Sequence, residues 1–269
     1  MNLKRLGTAL IGGPIIIALL VLGNPQLIDV FLALAAVRAI NEYNNCAKNV
    51  CKPISWISYI PAILIAFIHI LSNNIWLKIL PIAIPILLLV QFLQVIITDG
   101  KTTYKDVVYT TTGIVYIVSL MSFLSLLYGA ENGKILIWFI MFASWGSDIF
   151  AYIIGKNFGK HKFSKISPNK TIEGCFGGLI GAAILCLIYA IIVNSVFSLN
   201  LVYWQIIIIS IILCIIGQIG DFAASVIKRH FEVKDFSDLF PGHGGMIDRC
   251  DSIIFIAPFA YYIFIILLG

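Results

Sequence analysis

Long apolar runs separated by short polar breaks fill most of the chain, and two longer polar stretches, at about 156–173 and 228–251, interrupt them. The runs predict helices at roughly 6–23, 25–43, 55–72, 75–98, 107–128, 134–155, 174–197, 199–219 and 252–268. A helix crossing a hydrocarbon core of about 30 Å needs about 20 apolar residues at a rise of about 1.5 Å each, and the runs reach that length repeatedly. The second is the weakest, because Asp29 and Arg38 interrupt it; Asp29 sits near a helix end and is expected to reach water there. No small-residue cleavage pattern follows the first run, so it reads as a retained helix rather than a signal peptide. With no internal repeat and no separate soluble domain, the expectation is one all-α, polytopic integral-membrane domain over 1–269. It would have N-terminal helices at about 1–98 and a half at about 107–269 that carries the candidate chemistry.

Composition supports the bilayer as solvent. Of 269 residues, 60% are hydrophobic and 12% charged, with a mean hydropathy of +1.00. Ordinary soluble domains carry about 25% charged residues, so this chain cannot cover a water-facing surface of normal polarity. With the N-terminus in the cytoplasm and nine spans, sixteen Lys and Arg fall on the inside, and only Lys78 and Lys134 fall outside. That positive-inside bias supports both the span count and the orientation, and it puts both long polar stretches in the cytoplasm. The formal net charge of +5 follows from these loops and suits anionic headgroups; no motif points to nucleic acid. The six cysteines form no C-x-x-C pair and read as small, mostly buried apolar residues.

Acidic residues inside or at the edge of apolar segments carry the functional signal, because an intramembrane acid is expensive and usually faces a cavity. If residues 217–229 are helical, Asp221, Ser225 and Lys228 stand at i, i+4 and i+7 on one face, with Arg229 next to Lys228. A carboxylate, a hydroxyl and two cations so aligned suit a phosphate and its metal. The run Phe240-Pro241-Gly242-His243-Gly244-Gly245 precedes Asp248 and Asp251 at the start of the last helix. Its glycines let the backbone approach a ligand and turn N–H groups toward anions. Asp248 paired with Asp221 offers oxygen ligands to a hard cation such as Mg²⁺. Asp251 is open to that role or to capping the last helix. His243 is open to binding phosphate, orienting the loop or satisfying a local hydrogen bond. In the third constellation Asp148, Tyr152 and Gly155 share a helix face. Ser167-Pro168 reads as a helix start that projects Lys170 near the first turn, with Glu173 close by. Lys156, Lys160, Lys162 and Lys165 read as a solvated basic loop.

These residues carry a family resemblance. The run Ser225, Lys228, Arg229, Lys234, Asp235, Ser237, Phe240, Pro241, His243, Gly244, Gly245, Asp248, Arg249, Asp251 resembles the signature of the phosphatidate cytidylyltransferases (CDP-diacylglycerol synthases). The stretch from Asp148 to Gly174 is also similar to that family, through Ala151-Tyr152, Phe158-Gly159-Lys160, Ser167-Pro168, Lys170-Thr171 and Glu173-Gly174. Cys250 and Asn169 are small departures that remove no group assigned to chemistry.

The resemblance implies CMP transfer from CTP to phosphatidate, giving CDP-diacylglycerol and pyrophosphate. It also implies a membrane-embedded homodimer and a Mg²⁺ site, with K⁺ as a candidate second cation. On that basis Asp221 and Asp248, with Asp251, are the expected metal ligands. Ser225 adds a ligand or touches phosphate, and Lys228, Arg229, Lys234, Arg249 and Lys170 hold phosphates. Asp148 and Glu173 orient those cations or contact the nucleotide. The short chain points to a bacterial inner membrane with the site facing the cytoplasm. A CDP-archaeol synthase-type enzyme would share nearly the same site residues. An ion-coupled transporter also suits intramembrane acids and broken helices, but fits a dense cytoplasmic cluster of both signs less well.

Overall fold

The structure, a computed structural model, describes residues 3–70, 73–164, 166–240, 242 and 244–268. Among these every regular element is helical: α1 (Leu3–Leu22), α2 (Pro25–Ala47), α3 (Ser55–Leu64) with a 3₁₀ turn at Ile65–Phe67, and α4 (Asn73–Ile97). Next come α5 (Tyr104–Gly113) and α6 (Leu120–Tyr128), joined by a π-helical stretch at Ile114–Ser119 into one helical run. α7 (Gly133–Phe158), α8 (Ile172–Phe197), α9 (Tyr203–His230) and α10 (Ile247–Leu268) complete the order. The elements coincide with the apolar runs to within several residues. The exceptions lie where polar chemistry extends a helix: a capping box between Thr103 and Asp106 starts α5 early, and α9 continues through the polar face to His230.

Among the described residues five helical runs are long and apolar enough to cross a membrane: Tyr104–Tyr128, Gly133–Phe158, Ile172–Phe197, Tyr203–His230 and Ile247–Ile266. Large aliphatic side chains stand exposed in helical register along α8, at Ile180, Ile184, Ile188 and Ile192, as they do where lipid is the solvent. The architecture is that of a polytopic integral membrane protein.

The chain divides into two compact units, one of Met1–Gly129 with Lys228–Cys250 and one of Ala130–Ile227 with Asp251–Gly269. In the first unit α2 is the hub, packed against α3, the 3₁₀ turn, α5, the π-helical stretch and α6. That position explains its polar residues. Asp29 does not reach water as its place near a helix end suggested; it is completely buried. It accepts from the His69 backbone N–H at 2.9 Å and from the Ser125 hydroxyl, and the His69 Nδ1 lies 2.9 Å from both of its oxygens. The apparent interruption of the second run is therefore an internal polar anchor.

In the second unit α7 packs along most of α8. In lipid such a pair gains nothing from the hydrophobic effect, and close backbone approach supplies the attraction instead. At the crossing a Cβ on Gly174 would lie 2.9 Å from the Ala151 carbonyl oxygen, and one on Gly155 would lie 2.9 Å from the Thr171 hydroxyl. Both positions are closed to any larger residue without separating the helices.

Candidate active site

A cavity of about 650 Å³ opens within the second unit, inside the range typical of small-molecule sites. α7 lines it with Ser144, Ser147, Asp148, Tyr152 and Lys156, and α9 lines it with Gln218 and Asp221. The α7–α8 connection supplies Lys162, Lys170 and Thr171.

That connection is built as a small hairpin. Phe163 N donates to Lys170 O at 3.0 Å, and Ile172 N donates to His161 O at 2.9 Å. Pro168 occupies a turn closed by Lys170 N donating to Ser167 O at 3.1 Å, the second position that proline's fixed φ favours. Helix α8 therefore starts not at Ser167-Pro168 but at Thr171, whose hydroxyl accepts from Gly174 N at 3.1 Å as its N-cap. Lys170 is held at the end of the hairpin, immediately before the cap, and its ammonium pairs with the Asp221 carboxylate. It also stands 4.3 Å from the centre of the Phe222 ring, which stacks on Phe163. Three expected site residues, Asp148, Lys170 and Asp221, thus line one cavity. Glu173 turns to the hairpin, where its Oε1 lies 2.6 Å from His161 Nδ1. Lys156 and Lys162, read from sequence as solvated, are exposed and border the cavity as well.

Gln218 gave no sequence signal of its own. Its amide donates to Ser147 Oγ at 3.2 Å and to Cys175 O at 3.0 Å, so it ties α9 to α7 and α8 one turn before Asp221. A lone amide within an otherwise apolar helical run is the pattern that marks such a residue.

Asp248, Lys228 and the glycine-rich loop lie within the first unit, and Ser225 and Asp251 within the second. Asp248 falls in the first turn of α10 and is saturated. Its Oδ1 accepts from Lys228 Nζ at 2.7 Å, and its Oδ2 accepts from Phe236 N and Gly245 N, each at 2.9 Å. The glycine-rich loop does turn an N–H toward an anion, and that anion is the protein's own carboxylate. Gly242 and Gly244 take positive φ to make the turn. The Lys228 side chain is 14% exposed and that of Asp248 3%. Arg229, Lys234 and Arg249 are exposed, and Ser225 is half-buried. Because α10 begins at Ile247, Asp251 lies inside the helix rather than capping it, and its Oδ1 accepts from Ser252 N. His243 and Lys165 lie outside the described residues.

Among the described residues no group of three or more His, Cys, Asp or Glu side chains gathers as a metal site. The oxygens of Asp148 and Asp221 on the cavity wall are nevertheless hard donors. Mg²⁺ commonly takes one or two carboxylates and completes its shell with water and substrate phosphates, and the donor set fits a cation held in that way.

The profile of the Cytidylyltransferase family matches residues 3–267. The phosphatidate cytidylyltransferase of Staphylococcus haemolyticus is 34% identical over 258 residues, covering 93% of this chain and 94% of that protein. That of Thermotoga maritima is 33% identical over 194 residues, 70% of each chain. That of Bacillus subtilis is 34% identical over 170 residues, and the match spans 62% of its length. With helices, polar loops and all three constellations inside the matched range, the chain belongs to the cytidylyltransferase family.

Proposed function

We propose that this chain transfers CMP from CTP to phosphatidate, releasing pyrophosphate and forming CDP-diacylglycerol. The observation that carries this reading is the cavity, with the Lys170–Asp221 pair on its wall, in a chain of this family. A triphosphate needs cations, and the cavity offers Lys156, Lys162 and Lys170. A divalent cation needs carboxylate oxygen, and the cavity offers Asp148 and Asp221.

In the reaction a phosphate oxygen of phosphatidate attacks the α-phosphorus of CTP. A P–O bond forms there, the bond between the α-phosphorus and the bridging oxygen breaks, and pyrophosphate leaves with that electron pair. The attacking oxygen is already ionised at neutral pH, so no general base is required. Catalysis rests on alignment and on neutralising charge that develops on the oxygens. Lys170 holds a CTP phosphate, and Lys228, Arg229, Lys234 and Arg249 hold phosphates of the two substrates. Asp221, beside Asp148 on the cavity wall, and Asp251 would hold Mg²⁺, which would supply charge neutralisation of the triphosphate. At Asp248, the third expected ligand, Oδ1, which also accepts from Lys228, is the oxygen that would be offered to a cation, because Oδ2 is committed to two backbone donors. K⁺ is the candidate second cation.

The protein works as a homodimer in a bacterial inner membrane, with the site open to cytoplasmic CTP; the sixteen-to-two distribution of Lys and Arg supports that orientation.

Purified protein in phosphatidate mixed micelles with radiolabelled CTP and Mg²⁺ tests the proposal. Label is expected in the lipid phase, lost on chelation with EDTA and lost in Asp221→Asn. A folded protein that labels neither phosphatidate nor an archaeal-type ether-lipid phosphate would overturn it.

A further inference from the structure

The glycine-rich loop that presents Asp248 is braced by a second carboxylate, and that carboxylate comes from the opposite end of the chain. Glu42 lies on α2, and its side chain is 1% exposed. Its Oε1 accepts from the Ser237 hydroxyl at 2.6 Å, and its Oε2 accepts from Ile247 N at 3.2 Å. Arg38, one turn earlier and 40% exposed, places Nε 3.3 Å from Oε1. One turn later the Cys46 thiol donates to Phe236 O at 3.4 Å, and after the helix ends Asn49 donates to Phe231 O at 2.9 Å. Residues 38, 42 and 46 recur at i, i+4 and i+8, so they form one stripe on a single helix face.

The contacts of Glu42 bracket those of Asp248. Ser237 follows Phe236, whose N–H binds Asp248, and Ile247 precedes Asp248 itself. Gly245, whose N–H also binds Asp248, presses its α-carbon against Glu42: a Cβ there would lie 2.4 Å from Oε2. Every backbone donor that fixes the Asp248 carboxylate is therefore adjacent to, or in contact with, a group fixed by Glu42. A buried carboxylate is tolerated only when its partners are in place, and here the partners are the loop.

We infer that Glu42 is a positioning residue for the reaction, acting through the 236–247 loop to hold Asp248 and, through Asp248, the ammonium of Lys228. The inference rests on the proposed function for its catalytic consequence and on geometry alone for the clamp. It gives the α2 stripe a part in the reaction through the Asp248 loop, in a part of the chain that composition and charge assign only to membrane insertion.

Two readouts on Glu42→Ala test it. In hydrogen–deuterium exchange of the detergent-purified protein, amides in 236–247 are expected to exchange about tenfold faster or more, because hydrogen bonds to a charged acceptor are lost. Amides of α8 are expected to be unchanged. In turnover assays kcat is expected to fall about 10–100-fold, the usual consequence of removing a group that orients a functional side chain, with KM for CTP within about threefold. In a Lys228→Ala background the same substitution is expected to cost nothing further. Glu42→Gln, which still accepts from Ile247 and exchanges a hydrogen bond with Ser237, is expected to restore most of both losses. Should Glu42→Ala not fold, Ser237→Ala carries the same exchange signature more weakly and decides the matter. Unchanged loop exchange would overturn the inference, as would an equal further loss of kcat in the Lys228→Ala background. Faster loop exchange in a protein that never labels phosphatidate would leave the clamp standing and discard the functional reading instead.

Discussion

Breaking the Lys228–Asp248 pair is expected to cost stability in a way that separates its structural role from its chemical one. At 2.7 Å the attraction in an effective dielectric of about 20 is about 6 kcal/mol. Desolvation of two nearly buried charges takes back most of that, so the net contribution of the intact pair is small. Removing one partner is a different matter, because it strands the other, at a cost of about 3–5 kcal/mol. The two single substitutions should not be equal. Lys228→Met leaves Asp248 charged and buried, and belongs at the upper end. Asp248→Asn leaves an ammonium on a long flexible stem that swings toward water, and Asn still accepts from Phe236 N and Gly245 N, so it belongs below that range. The double substitution strands nothing and is expected to recover at least about 2 kcal/mol against the sum of the singles, within the range of couplings between contacting residues. Unfolding of the detergent-purified variants, followed by intrinsic fluorescence, gives the cycle. Turnover gives the second axis: all three variants are expected to lose about 100-fold or more, the cost of removing a preorganised charge from a transition state. Additivity within about 0.5 kcal/mol would refute the buried pair, and a stable double variant with normal turnover would refute its place in the chemistry.

Lys170→Ala is expected to raise KM for CTP about tenfold or more, as loss of a charge-assisted contact to phosphate does, while exposed Lys101→Ala stays within about twofold in the same steady-state assay. Cys51, in the α2–α3 connection, has its thiol pushed up to about 11, first by burial and then by the Asp106 charge. Its thiolate therefore forms only as the pH climbs toward that value, and iodoacetamide labelling followed by mass spectrometry should be slow at pH 8 and accelerate through pH 10. Asp29→Ala leaves the His69 N–H, the His69 ring and the Ser125 hydroxyl without their acceptor, at about 1–3 kcal/mol for each buried group. A clear fall in apparent Tm is expected, and an unchanged Tm would remove Asp29 as an anchor of α2.

What the sequence disclosed and what it hid divide along a physical line. Helices were legible because a membrane span demands an uninterrupted apolar length, and the polar face of α9 was legible because Asp221, Ser225 and Lys228 share a helical period. Asp148 and Asp221 announced themselves as charges where charge is expensive and Lys170 by its place beside an expected helix start, and the three do line one cavity. Residues whose value depends on a distant partner stayed silent. Glu42 meets Ser237 and Ile247 across 195 and 205 residues, and no local period relates them. In sequence Asp29 and Arg38 only weakened the second span, whereas in the fold the burial that makes a lone charge costly makes Asp29 an effective brace, and Arg38, 40% exposed, lies beside the buried Glu42 carboxylate. Lys156 and Lys162 stay exposed, as the reading of a solvated basic loop expects, and only the proline turn and the two backbone hydrogen bonds of the hairpin bring that loop beside the cavity. The general consequence for a chain of this kind is that a polar residue weakening an otherwise apolar helix is best read as a missing partner, to be sought wherever the fold brings a loop rich in backbone donors.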